Sequence, residues 1–448
     1  MTALDFPNIQ GFLVRGYRLP AAGYLFLRIE DGATARSFLG DFIPQVITAE
    51  RWDVKPESGI NLAFSYEGLR ALGVPDDSLA GFSAEFHAGM AARADLLGDV
   101  GDSGPEHWEE CFKSRDAHVL VMISAKDGDA LGERDERIRA LVERRGGASV
   151  VVTQRGGVLP THREHFGYAD GFSQPAIDGS RFEDHPGAGA PAGDGGWRPI
   201  KAGEFILGYP DEQGALPAAP QPDALARNGS YVVYRKLRQD VAAFRRQLRE
   251  AAALYPGGEE LLAAKLVGRW RDGTPLDASP HREDPGLVAD KSRNNAFDYG
   301  RDPEGLRCPV GSHIRRMNPR LSMPFEGKLV NRHRLIRRGI TYGEPLPEGA
   351  LEDDGQDRGV IFMTVQASLA RQFEFAQSQW ANTGNPFRLG DDQDPIIGPQ
   401  DVDGIPKMTI PGRPPFFVGP LSRVVTTRGG DYYFAPGING LRHLAAGA

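Results

Sequence analysis

The sequence predicts an α+β fold built from two similar halves. Strand-like runs and amphipathic helical runs recur in mixed order in both halves of the 448-residue chain, which is longer than one hydrophobic core usually serves. A stretch dense in Gly, Pro, Ala and Asp, residues 183–228, separates them and reads as a long loop. Neither a G-x-G-x-x-G dinucleotide fingerprint nor a phosphate-binding P-loop occurs, and mixed α+β order fits best.

The elements follow in order. "AAGYLFLRIE" (21–30) is rich in Tyr, Leu, Phe and Ile and reads as a buried strand. "TARSFLGDFIPQVI" (34–47) places Phe38, Leu39, Phe42 and Ile43 at helical spacing. "GINLAFSYEGLRALGV" (59–74) joins a strand to a short helix stopped by Gly73 and Pro75. "DAHVLVMISAKD" (116–127) is the clearest strand of the first half. A charged amphipathic helix (130–147, ending in Gly-Gly) and the strand "ASVVVTQRGGVL" (148–159) complete it. The pattern restarts with a strand and long helix over 229–255 and again over 359–382, and "GDYYFAP" (430–436) closes the chain. No short-period repeat is present.

Bulk composition narrows the function. Hydrophobic residues make up 40% and charged residues 25%, the balance of a water-soluble globular protein. Net charge is −8, from 52 basic and 60 acidic residues, which argues against a nucleic-acid partner. Cys111 and Cys308 are the only cysteines, so a disulfide scaffold, a cysteine-rich zinc site and covalent haem attachment through C-x-x-C-H are all excluded. The N-terminal stretch lacks a basic segment followed by an apolar run, and no stretch approaches eighteen apolar residues. The expectation is a cytoplasmic protein without a membrane partner.

Of the ten histidines, His87, His107, His118, His185, His281 and His443 stand alone, and each reads as a surface or satisfied core residue. His162 and His165 have an H-x-x-H spacing but no matching carboxylate or thiol set. His313 lies in "CPVGSHIRRMNPR", beside Arg315, Arg316 and Arg320, and "NRHRLIRRGI" adds Arg332, Arg334, Arg337 and Arg338. Arginines at this density either meet an anionic ligand through charge-assisted hydrogen bonds or form a solvated basic face, and spacing leaves both open. A neutral imidazole among arginines could ligate iron while the arginines pair haem propionates. An Asp on a glycine-framed turn could face the iron from the other side as a proton acceptor and donor. "EHFGYADGFSQPAIDG" (164–179) offers such a residue in Asp170, between Gly167 and Gly171; Asp178, in the second Asp-Gly pair, reads as an ordinary turn residue.

These stretches resemble the dye-decolorizing peroxidase family. "GYADG" (167–171) matches its G-x-x-D-G signature. The ordered series "IQGFLVRGY", "HFGYADGFSQP", "GEFILGYPDE" (203–212), "NGSYVVYRKLRQDVAAF" (228–244), "AAKLVGRWRDGTPL" (263–276), "CPVGSHIRRMNPR" (308–320), "LIRRGI" (335–340) and "DPIIG" (394–398) extends the likeness over nearly the whole chain.

The resemblance implies two ferredoxin-like halves with antiparallel sheets, of the dimeric α+β barrel type. The first, residues 1–195, carries the G-x-x-D-G motif, and the second, 196–448, carries a haem b and its His ligand. It implies that His313 ligates the iron and Arg315 serves the cofactor. Asp394 is expected to hydrogen-bond the proximal imidazole, with Glu374 as the fallback, and Val360 and Phe362 to line the distal pocket. Asp170 becomes the distal acid–base residue and Arg337 the distal arginine, with Arg334 as its competitor. Hydrogen peroxide and small aromatic or dye reductants are the implied partners, and a homo-oligomer is compatible with the family. Trp197, Trp380, Tyr168 and Tyr342 are candidates for relaying electrons to bulky dyes, though each also reads as a packing residue. A haem store or carrier without turnover is the alternative; it would need His313 and the arginines but not Asp170 with Arg337.

Overall fold

The structure, a computed structural model, describes residues 3–447 apart from 181, 183, 184, 193–195, 324 and 401–404. Residues 183, 184 and 193–195 of the expected 183–228 loop therefore lie outside the described residues. The first half contributes β1 (Ala21–Ile29), β2 (Ser58–Phe64), β3 (Val119–Ala125) and β4 (Ala148–Gly157). A short pair, β5 (Ala190–Pro191) and β6 (Trp197–Arg198), follows. The second half contributes β7 (Ser230–Gln239), β8 (Ile336–Arg337), β9 (Ile340–Tyr342), β10 (Gly359–Gln366), β11 (Met408–Ile410), β12 (Phe416–Val418) and β13 (Val425–Ala435).

The strands pair antiparallel in the order β4-β1-β3-β2-β13-β7-β10-β8, with β9 also on β10. One order is thus used twice. In the first half β4-β1-β3-β2 carries helix Gly128–Arg145 packed against its four strands, with helix Gly32–Phe42 packed on that helix; in the second, β13-β7-β10 with β8 and β9 repeats the strand order. The halves meet edge to edge where Phe434 of β13 pairs with Phe64 of β2. At the far ends, Thr341 Oγ1 of β9 donates to the Gly157 carbonyl of β4, and the sheet curls back on itself. Closure of this kind leaves little exposed strand edge.

The same aspartate device starts four of the helices. Asp31, Asp127 and Asp240 each accept a hydrogen bond from an amide three residues on, Thr34, Ala130 and Ala243, at 2.7–2.8 Å, and Asp284 does the same for the short helix Pro285–Ala289 with the Leu287 amide at 3.0 Å. A side-chain oxygen at this position satisfies a helix-terminal amide that has no partner within the helix. Pro44 explains why the helix expected over 34–47 stops at Phe42 and tightens into a 3₁₀ turn, Ile43–Gln45. The helix expected after β10 is present but wound as two π-helical segments, Leu369–Glu374 and Ala376–Ala381. The expected 183–228 loop carries β5, β6 and the short helix Asp223–Ala226.

One core joins both halves. Phe26 of β1 is fully buried and packs edge-on against Tyr234 of β7 at 4.9 Å and Phe112 at 5.1 Å, with Tyr433 of β13 at 6.3 Å. Aromatic pairs in such geometry add to the burial of their area. Phe26→Ala should cost about 3–5 kcal/mol by opening a cavity in this cluster. Because the cluster is shared, urea unfolding followed by fluorescence and by circular dichroism should give coincident transitions that move together to lower urea; separate transitions for the two halves would contradict a common core.

Candidate active site

A cavity of about 350 Å³ opens beside the second half's sheet. Its walls come from alternate residues of neighbouring strands, which a pleated strand sends to one face. Arg235, Leu237 and Gln239 come from β7, Val360 and Phe362 from β10, and Val425 and Thr427 from β13. The loop 164–175 and the helix that begins at His313 complete it. Val360 and Phe362 line it together, as their i, i+2 spacing requires.

His313 is the first residue of the short helix His313–Met317 and borders the cavity. Its Nδ1 lies 2.9 Å from Asp394 Oδ2. Asp394 is fully buried, and its other oxygen accepts the amides of Ile396 and Ile397 at 2.9 and 3.0 Å. Burial alone would raise the Asp394 carboxyl. The charge and hydrogen bond of His313, with Arg316 and the Ile397 amide, outweigh it and hold the carboxyl below its ordinary range. Burial likewise works against a charged His313, yet Asp394 prevails and the imidazole's pKa lies above its ordinary value. With Nδ1 engaged as donor, Nε2 is the ring nitrogen left for a ligand, and a carboxylate behind a ligating imidazole fixes its tautomer and raises its basicity.

Asp170 sits on a pinned loop. Gly167 and Gly171 have φ of +96° and +90°, a backbone region open to glycine at little cost. The Glu164 carboxylate accepts the amide of Phe166 and that of Tyr168, both at 3.0 Å, and Gln239 Nε2 at 2.7 Å. Arg271 Nη1 donates to the Phe166 carbonyl at 2.7 Å, and the Ala169 amide donates to the Arg271 carbonyl at 2.9 Å. The loop ends with Asp170 Oδ1 accepting Arg337 Nη2 at 3.1 Å and the Gly171 amide at 2.6 Å. Arg337, in β8, is fixed in turn through its own amide, which donates to Gln174 Oε1 at 2.9 Å. The charge of Arg337 is the largest influence on Asp170, whose side chain is 73% exposed, and holds its carboxyl below the ordinary 3.8. His313 and Asp170 lie close enough to act on each other's ionisation. The cavity thus sets an oriented imidazole and a carboxylate–guanidinium pair within one space.

Of the two arginines in competition, Arg337 reaches Asp170. Arg334 is buried and donates instead to the carbonyls of Ala188 and Gly189 at 3.2 and 3.5 Å. Arg334, Arg269 and Arg320 all border the cavity, and among the described residues none pairs with a carboxylate. Arg269 is held by the carbonyls of Gly273 and Asn294, and Arg320 by those of Asn295 and Phe297. Burial pulls Arg334 down to about 9 and Arg269 to about 10, with neighbouring arginines adding to the shift. Buried cations without counter-charge are costly, and an anionic ligand would relieve that cost.

Several expected residues are placed elsewhere. Arg315, expected to serve the cofactor, is fully buried away from the cavity; its guanidinium bonds to Asp302 and the Cys308 carbonyl and stacks on Tyr299. Glu374, the fallback partner for the imidazole, is taken by Arg93 at 2.7 and 2.9 Å and by Tyr432 Oη at 2.9 Å. Of the four aromatic candidates, Tyr168 borders the cavity and donates to the Ala263 carbonyl at 2.9 Å, while Trp380 and Tyr342 are buried. Trp197, in β6, lies 5.6 Å beneath Arg320. Arg269 and Glu164 were not singled out in sequence, and Arg320 was named only as one of the arginines beside His313. The signal for Glu164 was its place three residues before a glycine of positive φ, where a carboxylate can collect successive amides.

This sheet order and paired-half construction belong to the dimeric α+β barrel class, and residues 8–158 match the family model described as the DyP dimeric alpha+beta barrel domain. A dye-decolorizing peroxidase of Mycena epipterygia is 32% identical over 99% of this chain and 88% of its own. The multifunctional dye peroxidase of an Amycolatopsis species is 32% identical over 99% and 96%. Among solved structures, an ancestral D-type dye decolorizing peroxidase matches with a TM-score of 0.85 at 32% identity, covering 98% of this chain and 99% of that one. The chain belongs to the dye-decolorizing peroxidase family and is an enzyme, a peroxidase. Among the described residues no helix is long and apolar enough to cross a membrane.

The Asp170–Arg337 contact carries its own prediction. In the protein without added ligand, carbon-13 NMR of labelled aspartates should find the Asp170 carboxyl titrating below 3.8, and Arg337→Leu should raise that value. The native pair then contributes stability at pH values above the unfolded aspartate pKa, and loses it as pH falls through the depressed folded value. An Asp170 titration unchanged by Arg337→Leu would contradict the assignment.

Proposed function

We propose that the chain holds haem b without covalent attachment and reduces hydrogen peroxide while oxidising small aromatic or dye reductants. One observation carries the proposal. An imidazole backed by a buried carboxylate, His313–Asp394, shares a cavity with the Asp170–Arg337 pair. The residues present fit the cofactor. His313 Nε2 would be the ligand, and the buried Arg269, Arg320 and Arg334 would supply cationic partners for propionates. Val360, Phe362, Ile396 and Ile397 supply apolar wall. Residues 196–448 would hold the cofactor, and residues 1–195 would lend the Asp170 loop.

When bound, haem supplies the redox chemistry that peroxide reduction and one-electron oxidation of a donor require. The chain's own residues do the rest. The Asp170 carboxylate takes a proton from one peroxide oxygen and delivers it to the other, the leaving one. Arg337 offers its guanidinium to the negative charge that develops as the O–O bond breaks, and keeps Asp170 ionised beforehand. Asp394 keeps His313 in one tautomer and orientation. The names of the relatives, dye-decolorizing and multifunctional dye peroxidases, support dyes as reductants.

Because Arg337 holds Asp170 below the ordinary carboxylate value, the base stays ionised into acidic solution, and dye oxidation should peak on the acid side of neutrality. An optimum above neutrality would count against Asp170 as the base. His313→Ala should lose the Soret band, and an unchanged band would remove His313 as ligand. Asp170→Asn and Arg337→Leu should keep the band while slowing the peroxide-driven spectral change about 10²–10⁴-fold in stopped flow. Normal rates in both variants would remove Asp170 and Arg337 from the peroxide step.

A further inference from the structure

We infer that Glu164 is a positioning residue for the peroxide step: its carboxylate folds the 164–171 loop into the one shape that sets Asp170 against Arg337. The inference rests on the acid–base reading of Asp170 given above.

The argument starts from what the loop lacks. No regular element pairs the amides of Phe166 and Tyr168, and both are instead donated to the two oxygens of one side chain. The Tyr168 carbonyl accepts the Glu164 amide at 2.9 Å, and the Glu164 carbonyl accepts the Gly167 amide at 2.8 Å. Residues 164–168 therefore close on themselves through four hydrogen bonds, two to the carboxylate and two along the backbone. Successive amides converging on one anion make a compact and directional grip.

The closed turn is then tied to the sheet. Gln239, at the end of β7, donates to Glu164 Oε2, the oxygen that also takes the Phe166 amide. From the turn to Asp170 only Ala169 intervenes, and its amide is held by the Arg271 carbonyl. Any rotation of the turn is thus passed to Asp170 with little slack. Phe166, stacked on Phe244 at 4.3 Å, anchors the apolar side of the same turn. Burial raises the Glu164 carboxyl, and Asp170 is the charged group that adds to this, so the three donors hold an anion at a place where little else would.

Glu164→Gln keeps the shape and changes one oxygen into a donor. The Oε1 side faces the Tyr168 amide, and the Oε2 side faces the Phe166 amide and Gln239. Whichever way the amide turns, a donor meets a donor. Asp170 should then lose its register with Arg337, while His313, Asp394 and the cavity arginines are untouched.

The test is a double-mutant cycle on the haem-loaded enzyme, read in stopped flow as the peroxide-driven change of the Soret band. Glu164→Gln should slow that step about tenfold to a hundredfold, the loss a displacement near 1 Å brings. Haem content, the resting Soret band and the later oxidation of the reductant should stay as in the parent. In the Asp170→Asn background the same change should slow nothing further. Gln239→Leu, which removes one of three donors and leaves both amides, should give a smaller loss of the same kind. A readout without haem is amide hydrogen exchange across residues 164–171, which Glu164→Gln should accelerate. A Glu164→Gln enzyme as fast as the parent while Asp170→Asn is slow overturns the inference alone, as does a further slowing in the Asp170→Asn background. A fast Asp170→Asn enzyme overturns the acid–base reading itself.

Discussion

The hydrogen bond between Asp394 and His313 is the contact around which the site is arranged. A carboxylate with no solvent access is costly unless its oxygens are occupied. Here one oxygen is filled by the Ile396 and Ile397 amides and the other by the imidazole. The chain therefore bends back at "DPIIG" to meet a helix that starts eighty-one residues earlier. Arg316 ties the same region together from behind by donating to the carbonyls of Gly311, Trp380, Thr383 and Asp392. With that wall fixed, the imidazole has one exposed nitrogen and one direction in which to present it.

The opposite wall solves a different problem. An aspartate proposed as the base must be ionised, accessible and held in place. Arg337 secures the ionisation, positive-φ glycines give the turn its shape, and the cavity gives access. Only the Asp170 loop comes from the first half; Arg337, like His313 and Asp394, belongs to the second, and the halves are joined by a core in which Phe26, Tyr234 and Tyr433 interlock. The shared core keeps the two walls in register.

Much of this was legible in the sequence, for identifiable reasons. Glycines flanking Asp170 reported a backbone that only glycine adopts easily. Val360 and Phe362 shared a face because strands alternate. His313 stood out as an imidazole among arginines. What misled was giving the cofactor contact to Arg315. Consecutive helical residues turn by about 100°, so with His313 toward the cavity Arg315, two residues on, points away, and it is Asp302 and Tyr299 that receive it. Arg269 and Arg320 reach the cavity only through loop carbonyls from Gly273 and residues 294–297, and no local pattern encodes such long-range support. The π-wound turns after β10 and the β11–β12 hairpin were likewise set by tertiary packing rather than by spacing.

The account is tested most directly by a crystal structure of the haem-loaded protein, with iron located by its anomalous scattering. The proposed arrangement requires the iron to be bonded to His313 Nε2, with Asp394 still on Nδ1 and with Asp170 and Arg337 together on the other face. Iron bound elsewhere, or His313 turned out of the cavity with Asp170 and Arg337 on the ligand side, would contradict it.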